Sequence, residues 1–498
     1  MMTPRYPMLY RINTRVWLTE LSEGLGRPAT LDDIPDIELD HLVDMGFDWV
    51  WLLSVWQTGP GAQQVSRSHP DWRHEFEQTL PDLREEDIAG SGFAITGYTV
   101  HTKLGGDQAL ARLRERLRQR GLKLMLDFVP NHMGLDHHWV EEHPEYFVSG
   151  TELDLARSPQ NYTWVKRQNG DLLLAYGRDP YFSGWPDTLQ LNYANPATQT
   201  AMIVELCRIA GQCDGVRCDM AMLVLPEIFE RTWGQRAPLF WPDATGRVRE
   251  SYPQFLFMAE VYWDMEWTLQ QQGFDYAYDK RLYDRLREGN ARTVRDHLRA
   301  GLDYQDKLAR FLENHDEPRA AAVFSPEVHH AAAVLSYLSP GLCFFHQGQL
   351  EGRQKRISPH LIRGPVERVD EDLKQFYDRL LTVLRRPAVK NGEWQLLDCD
   401  AAWDWNWTHD CILVFAWKGI QCEVIVVAVN YASHQSQCHV RLPFAELAGK
   451  KWQLQDQLSS ASYEWNGDDL LGRGLFLDLT PSQACVFLLR DSAALPSV

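Results

Sequence analysis

Residues 105–130 read "GGDQALARLRERLRQRGLKLMLDFVP", a helix pattern running straight into a strand pattern. Leu110, Leu113 and Leu117 recur at spacings of three and four, which puts them on one helix face as an inner stripe. Asp107 is placed to cap the start of that helix, and Gly121 to end it. The run "LKLMLDF" follows at once and is apolar on both faces, as a strand covered on both sides must be. Helix and strand joined this tightly form half of a βα unit and predict a parallel sheet.

Outward from this unit, the same alternation continues from the N-terminus to about residue 390. Strand candidates are "YRINTRVWL" near 10, "GFDWVWLLSVW" at 46–56, "LKLMLDF", "DGVRCDM" near 214, "FLFMAEVYW" near 255, "FDYAY" near 274, "LARFLE" near 308 and "GLCFFHQG" near 341. Eight such strands separated by helices predict an α/β fold of the (β/α)8 TIM-barrel type, in which the strand C-terminal ends build the active-site face. Several of these runs finish in acids or histidines: Asp127, Asn131 and His132; Arg217 and Asp219; Glu260; and, in "ARFLENHDEPR" at 309–319, Glu313 through Asp316. Convergence of strands onto one mouth explains why apolar runs end so.

Residues 133–190 interrupt the alternation with an aromatic-rich stretch, predicted to be an inserted subdomain after the third strand, overhanging that mouth. The barrel is thus assigned to 1–132 and 191–392. Beyond it, at 393–498, short alternating runs such as "CILVFAWKG" and "CEVIVVAVNY" predict an antiparallel β-sandwich. In "AWDWNWTH", Trp403, Trp405 and Trp407 alternate with polar residues on one strand face, read as a core or inter-domain contact in preference to a surface glucan site.

The 498 residues carry a formal net charge of −18, which argues against nucleic-acid or anionic-membrane partners and is compatible with a neutral small-molecule or oligosaccharide substrate. Nineteen Trp and eighteen Tyr offer stacking surfaces for sugars, though most such residues fill cores. No signal-peptide pattern or long apolar span is present, and nine cysteines without a compact framework fit a reducing cytoplasm. Cys207, Cys213 and Cys218 lack the spacing of a metal site and read as small core residues, and His137 and His138, which with His132 suggest a metal group, stand in "LDHHWVEEHPEYF", which reads as a loop and helix start.

In order along the chain, these strand ends resemble the α-amylase family of glycoside hydrolases. Asp127, Asn131 and His132 match its Asp-x-x-x-Asn-His motif, and Gly215, Arg217 and Asp219 its Gly-x-Arg-x-Asp motif. Glu260 matches the Glu that ends an apolar strand, and Asn314, His315 and Asp316 its Asn-His-Asp motif. "WPDTLQLN" at 185–192 looks like a further motif near the close of the overhanging subdomain. The resemblance implies a retaining glycosidase with Asp219 as nucleophile, Glu260 as general acid/base and Asp316 as the third catalytic carboxylate. It implies that Arg217 orients the nucleophile, that His132 and His315 bind sugar hydroxyls, and that Tyr98 in "ITGYTV" is the aromatic platform under the sugar. Asp127 reads as a substrate contact or as an architectural tie between the third strand and the insertion, and Arg319 as a further binding candidate.

No cofactor is required by that resemblance. Many relatives bind calcium near the position of Asn131, but the sequence shows no full set of oxygen ligands. Starch-degrading members carry Lys and His three and four residues after the nucleophile; Met222 and Leu223 stand here, which places long-chain amylase activity in doubt. Glu317 reads either as a contact to a polar acceptor or as the partner of Arg319. Arg353, Lys355 and Arg356 form a basic cluster, read as a solvated loop or an attractor of phosphate. Hydrolysis and transfer share one intermediate, so a transglycosylase or phosphorylase using sucrose, trehalose or maltose remains the alternative enzyme, and a non-catalytic sugar-binding protein the alternative of another class.

Overall fold

The computed structural model describes residues 4–419 and 423–494. Eight parallel strands close into a barrel: β1 (Met8–Asn13), β2 (Trp49–Leu53), β3 (Lys123–Phe128), β4 (Gly215–Cys218), β5 (Leu256–Ala259), β6 (Tyr276–Tyr278), β7 (Leu308–Arg310) and β8 (Leu342–His346). Each strand hydrogen-bonds to its sequence neighbours, and β8 closes on β1 with Met8 opposite Cys343 and Arg11 opposite His346. Strands β1, β2, β4, β5, β7 and β8 are buried at every position. Their inward side chains fill the barrel and their outward ones meet the helices, so polar residues on them, such as Arg11, Arg217 and Arg310, are buried as well.

The opening helix spans Gly106–Gln119 and buries Leu110, Leu113 and Leu117, the predicted stripe. Asp107 does not cap it. The cap is Gly105, and the Asp107 carboxylate instead accepts the Val100 N–H at 2.7 Å, tying the helix to the short strand Ile95–Val100 outside the barrel. Gly121 lies at φ +79°, where a side chain would be strained, and turns the chain into β3. The first strand is also shorter than its apolar pattern: Asn13 ends it by capping the helix Thr14–Leu25, its side chain accepting the Val16 N–H. "RVWL" is therefore helical.

Between β3 and β4, the strands His132–Gly134 and Thr188–Gln190 pair antiparallel with His132 opposite Gln190. That pairing clamps the two ends of the insertion together beside the barrel mouth. A second hairpin, Tyr162–Val165 with Leu172–Ala175, builds its outer part. The C-terminal region contains a six-stranded antiparallel sheet and a three-stranded one packed face to face around Ile412, Val414, Val426, Leu454 and Leu477. It is fastened to the barrel by Trp417 Nε1 donating to Leu338 O (2.8 Å) and Tyr431 OH donating to Leu286 O (2.6 Å).

The tryptophans of "AWDWNWTH" are not core. Trp403, Trp405 and Trp407 are 54%, 85% and 70% exposed. The strand stops at Ala401, and Trp405 at φ +72° breaks the alternation that would have aligned them. Among the described residues, no helix is long and apolar enough to cross a membrane.

Candidate active site

The β4 and β5 ladders continue one step beyond the strands: Asp219 N–H donates to Phe128 O (2.8 Å) and Glu260 N–H to Cys218 O (3.0 Å). This fixes both acids at the barrel rim. Arg217, fully buried and two residues before Asp219, points the same way along β4. Its Nη1 donates to Asp219 Oδ1 at 2.7 Å, and its Nη2 lies 2.7 Å from Glu260 Oε2. The guanidinium is held between Trp51, Phe93 and Tyr278, with centroid distances of 5.4, 5.1 and 5.9 Å. Glu260 is further fixed by the Met220 N–H on Oε2 (2.7 Å) and the Tyr262 hydroxyl on Oε1 (3.0 Å). Met220 reaches that position only at φ +42°, a strained conformation for a side chain without local hydrogen-bonding capacity.

Burial raises the carboxyls of both Asp219 and Glu260 above the usual range, against the pull of Arg217; Glu260 is pushed further by the charge of Asp219. Asp316 lies across the cavity, its backbone placed by Asn314, whose Oδ1 accepts the N–H groups of Asp316 (2.8 Å) and Glu317 (2.9 Å). Its confinement and the nearby Glu260 lift its carboxyl to about 6. These three acids, with His132 and His315, line one cavity of about 320 Å³.

Both histidines are kept neutral. Burial lowers His132 to about 3, and His315, buried near Arg11 and Arg217, falls well below its usual value. The His315 ring stacks on Phe93 at 5.3 Å and meets the edge of Trp51 at 5.9 Å, while its Nε2 lies 3.2 Å from Asp316 Oδ2. His132 stands edge-on to Trp185 at 5.2 Å.

Three residues expected to bind substrate lie outside the cavity. Tyr98 is buried between Trp56 and Phe128, and its hydroxyl donates to Val129 O (3.0 Å) and accepts from Val129 N–H (2.9 Å). Phe93, five residues earlier in the same segment, lines the cavity instead, with Trp72, Phe76, Trp185 and Tyr262. Asp127 is architectural in its contacts: its carboxylate accepts from Trp51 Nε1 (3.2 Å) and Ser54 N–H (3.1 Å), tying β3 to the exit of β2. Arg319 forms a buried pair with Glu313, whose other oxygen accepts Ala320 N–H at 2.7 Å. Glu317 accordingly does not meet Arg319; it lies 3.3 Å from Lys280.

The cavity also contains Trp185 and Asp187 of "WPDTLQLN", together with Tyr262, Glu75 and Arg356. Burial raises Asp187 to about 7, and its Oδ2 has no hydrogen-bond partner. Sequence reasoning singled out the motif but not this carboxyl. Met222 and Leu223 turn inward and are buried in the short helix Ala221–Val224, so they do not border the cavity. In the basic cluster, Arg356 pairs with Glu75 at 2.5 Å, and Arg353 lies 3.6 Å from Glu20.

The calcium position near Asn131 does not fit the ion. Asn131 O, Asn131 Oδ1 and Leu191 O converge on Gln190 Nε2 at 2.9, 3.0 and 3.1 Å. An amide donor stands where those oxygens would face a cation. Among the described residues, no group of three or more His, Cys, Asp or Glu is arranged to hold a metal.

The family description "Alpha amylase, catalytic domain" matches residues 30–379. Alpha-amylase MalA of Haloarcula japonica is 25% identical over 394 residues, 77% of this chain and 49% of its own length. The intracellular maltogenic amylase of Bacillus subtilis is 24% identical over 387 residues, 72% of this chain and 56% of its own. The chain thus spans about half the length of these relatives. Among solved structures, the noncanonic maltogenic alpha-amylase AmyB of Thermotoga neapolitana superposes with a TM-score of 0.68 at 17% identity, covering 98% of this chain and 100% of that one. A match across most of the barrel, over acids that meet at its C-terminal rim, leaves one conclusion: the chain belongs to the α-amylase catalytic-domain family.

Proposed function

We propose that this protein is a retaining glycoside hydrolase acting on α-glucosidic bonds of oligosaccharides or α-glucans. The observation that carries the reading is the one Arg217 guanidinium lying 2.7 Å from both Asp219 and Glu260. Retention needs two carboxyls about 5–5.5 Å apart, whereas inversion needs a wider gap to admit water. A shared guanidinium favours the shorter separation.

In the first step, an Asp219 oxygen attacks the anomeric carbon while the bond to the leaving oxygen breaks and Glu260 gives that oxygen its proton. The product is a glycosyl ester on Asp219. Water then attacks the same carbon, its proton returns to Glu260, and the ester bond breaks to free Asp219. Burial and the Asp219 charge favour the protonated form of Glu260 against the pull of Arg217, while the Arg217 hydrogen bond favours the ionised form of Asp219. Asp316 and the neutral rings of His132 and His315 would bind hydroxyls of the sugar, with Phe93 against its apolar face.

A sugar acceptor in place of water would give transfer from the same intermediate. The partner is a neutral oligosaccharide, and a cytoplasmic setting accords with the free thiols of the eight cysteines among the described residues. The test is an NMR time course with maltose, maltoheptaose, sucrose and trehalose, with and without phosphate, using Asp219→Asn as control. The α-anomer appearing first from wild type alone supports the reading. The β-anomer first excludes retention, and new linkages or sugar phosphates replace hydrolysis by transfer or phosphorolysis.

A further inference from the structure

Glu75 and Arg356 belong to segments far apart in sequence that meet at the cavity wall. Glu75 lies on the helix Pro70–Thr79, between β2 and β3, and Arg356 follows β8. Arg356 Nη2 donates to Glu75 Oε1 at 2.5 Å, while its Nη1 leans on the carbonyls of His315 (3.5 Å) and Asp316 (3.4 Å). Both side chains are partly exposed, and such a pair adds little to stability. Its position has a clearer consequence for access.

In the barrel order, β8 and β2 are the two neighbours of β1. A bridge from the segment after β8 to the segment after β2, leaning on the residues that follow β7, therefore stands on the part of the rim that flanks β1. In a closed ring of eight, β1 is opposite β5, the strand that delivers Glu260. The group protonated by Glu260 leaves on the β5 side, so the bridge stands at the other end, where the sugar held by Asp219 would continue into a longer chain.

Packed side chains back this wall. His360 lies 4.7 Å from Trp72 and 5.7 Å from Phe76, ring to ring, and Ser66 Oγ is 2.8 Å from its Nδ1. Thr79 Oγ1 donates to the Arg356 carbonyl at 3.3 Å. The cavity volume of about 320 Å³ is at the small end of ligand pockets.

We propose that the Glu75–Arg356 ion pair makes the site a blind pocket for one non-reducing-terminal glycosyl unit, so that the enzyme removes end units and does not cut within chains. This rests on the α-glucosidic reading above. The test compares p-nitrophenyl α-glucoside, p-nitrophenyl α-maltoheptaoside, and the same heptaoside with its terminal 4- and 6-hydroxyls tied as an ethylidene acetal.

Wild type should turn over the first two, with glucose as the first product of the heptaoside, and act on the blocked heptaoside at least about 100-fold more slowly. Comparable turnover of blocked and unblocked heptaosides overturns the blind pocket and leaves the α-glucosidic reading standing. Turnover of none of the three removes that reading and the pocket proposal with it. Glu75→Ala should raise the rate on the blocked heptaoside about tenfold or more relative to the unblocked one. A folded Glu75→Ala enzyme with an unchanged ratio rules out the ion pair as the wall; if that variant does not fold, the wild-type comparison still decides.

Discussion

Arg217 and Asp219, two residues apart on the rim of β4, meet through a 2.7 Å hydrogen bond in a setting with almost no solvent. The same guanidinium faces Glu260, so one cation offsets whatever negative charge the two buried acids carry between them. Removing one partner of a buried pair leaves the other charge uncompensated, at a cost of about 3–5 kcal/mol. Arg217→Met should therefore lower stability by that order and abolish turnover. Urea unfolding and single-turnover kinetics check both. A variant that unfolds like wild type would mean the acids carry little charge in the resting enzyme.

Tyr262 donates to Glu260 Oε1 at 3.0 Å, which favours the carboxylate and so holds down a pKa that burial raises. In Tyr262→Phe the acid keeps its proton to higher pH. The alkaline limb of the kcat/KM profile, which reports loss of that proton, should move upward, with the maximal rate falling about tenfold. A limb that stays put separates Glu260 from that titration.

The exchange of roles between Tyr98 and Phe93 has a direct test. Tyr98→Phe leaves the Val129 N–H and carbonyl without the hydroxyl that serves both, costing about 1–3 kcal/mol of stability. Its KM should remain that of wild type. Phe93→Ala removes cavity surface and the ring stacked on His315, so KM should rise and kcat fall. The opposite pattern would restore Tyr98 to the site.

Asp187 gives a pH-dependent stability. Its carboxyl is raised by burial to about 7, against about 3.9 in an unfolded chain. The folded state binds this proton more tightly, so the contribution is fully present below pH 4 and is lost as pH rises through 7. Asp187→Asn cannot ionise. Its unfolding temperature should match wild type near pH 4 and exceed it at pH 8, and equal temperatures at both would show that Asp187 ionises freely in the folded protein.

Much of this was legible in the sequence because strand ends are local. Each barrel strand is a short apolar run, and Asp219, Glu260 and Asp316 sit where such a run stops, so topology alone carries them to one rim. Contacts set by packing were not legible. "SGFAITGYTV" holds two aromatics: Phe93 precedes the strand Ile95–Val100 and lines the cavity, while Tyr98 lies within that strand and is buried. Arg319 has three acids within reach in sequence, Glu313, Asp316 and Glu317, and burial selects Glu313. Glu75 and Arg356 are separated by 281 positions, and no local pattern joins them.

Gln190 bears on metal dependence. Its Nε2 shares two N–H bonds among three oxygens, of Asn131 and Leu191, where β3 leads into the insertion, and its own strand pairs with His132. A neutral donor already holds this junction, so dialysis against EDTA should leave both the unfolding temperature and activity unchanged. Gln190→Leu takes the donor from a buried site and should destabilise by about 1–3 kcal/mol. Because His132 is registered opposite Gln190, KM should rise as well. Gln190→Glu brings a carboxylate to the same oxygens; it should be destabilised in EDTA and recover on adding calcium, whereas loss of wild-type stability in EDTA would show that a cation, not the amide, holds the junction.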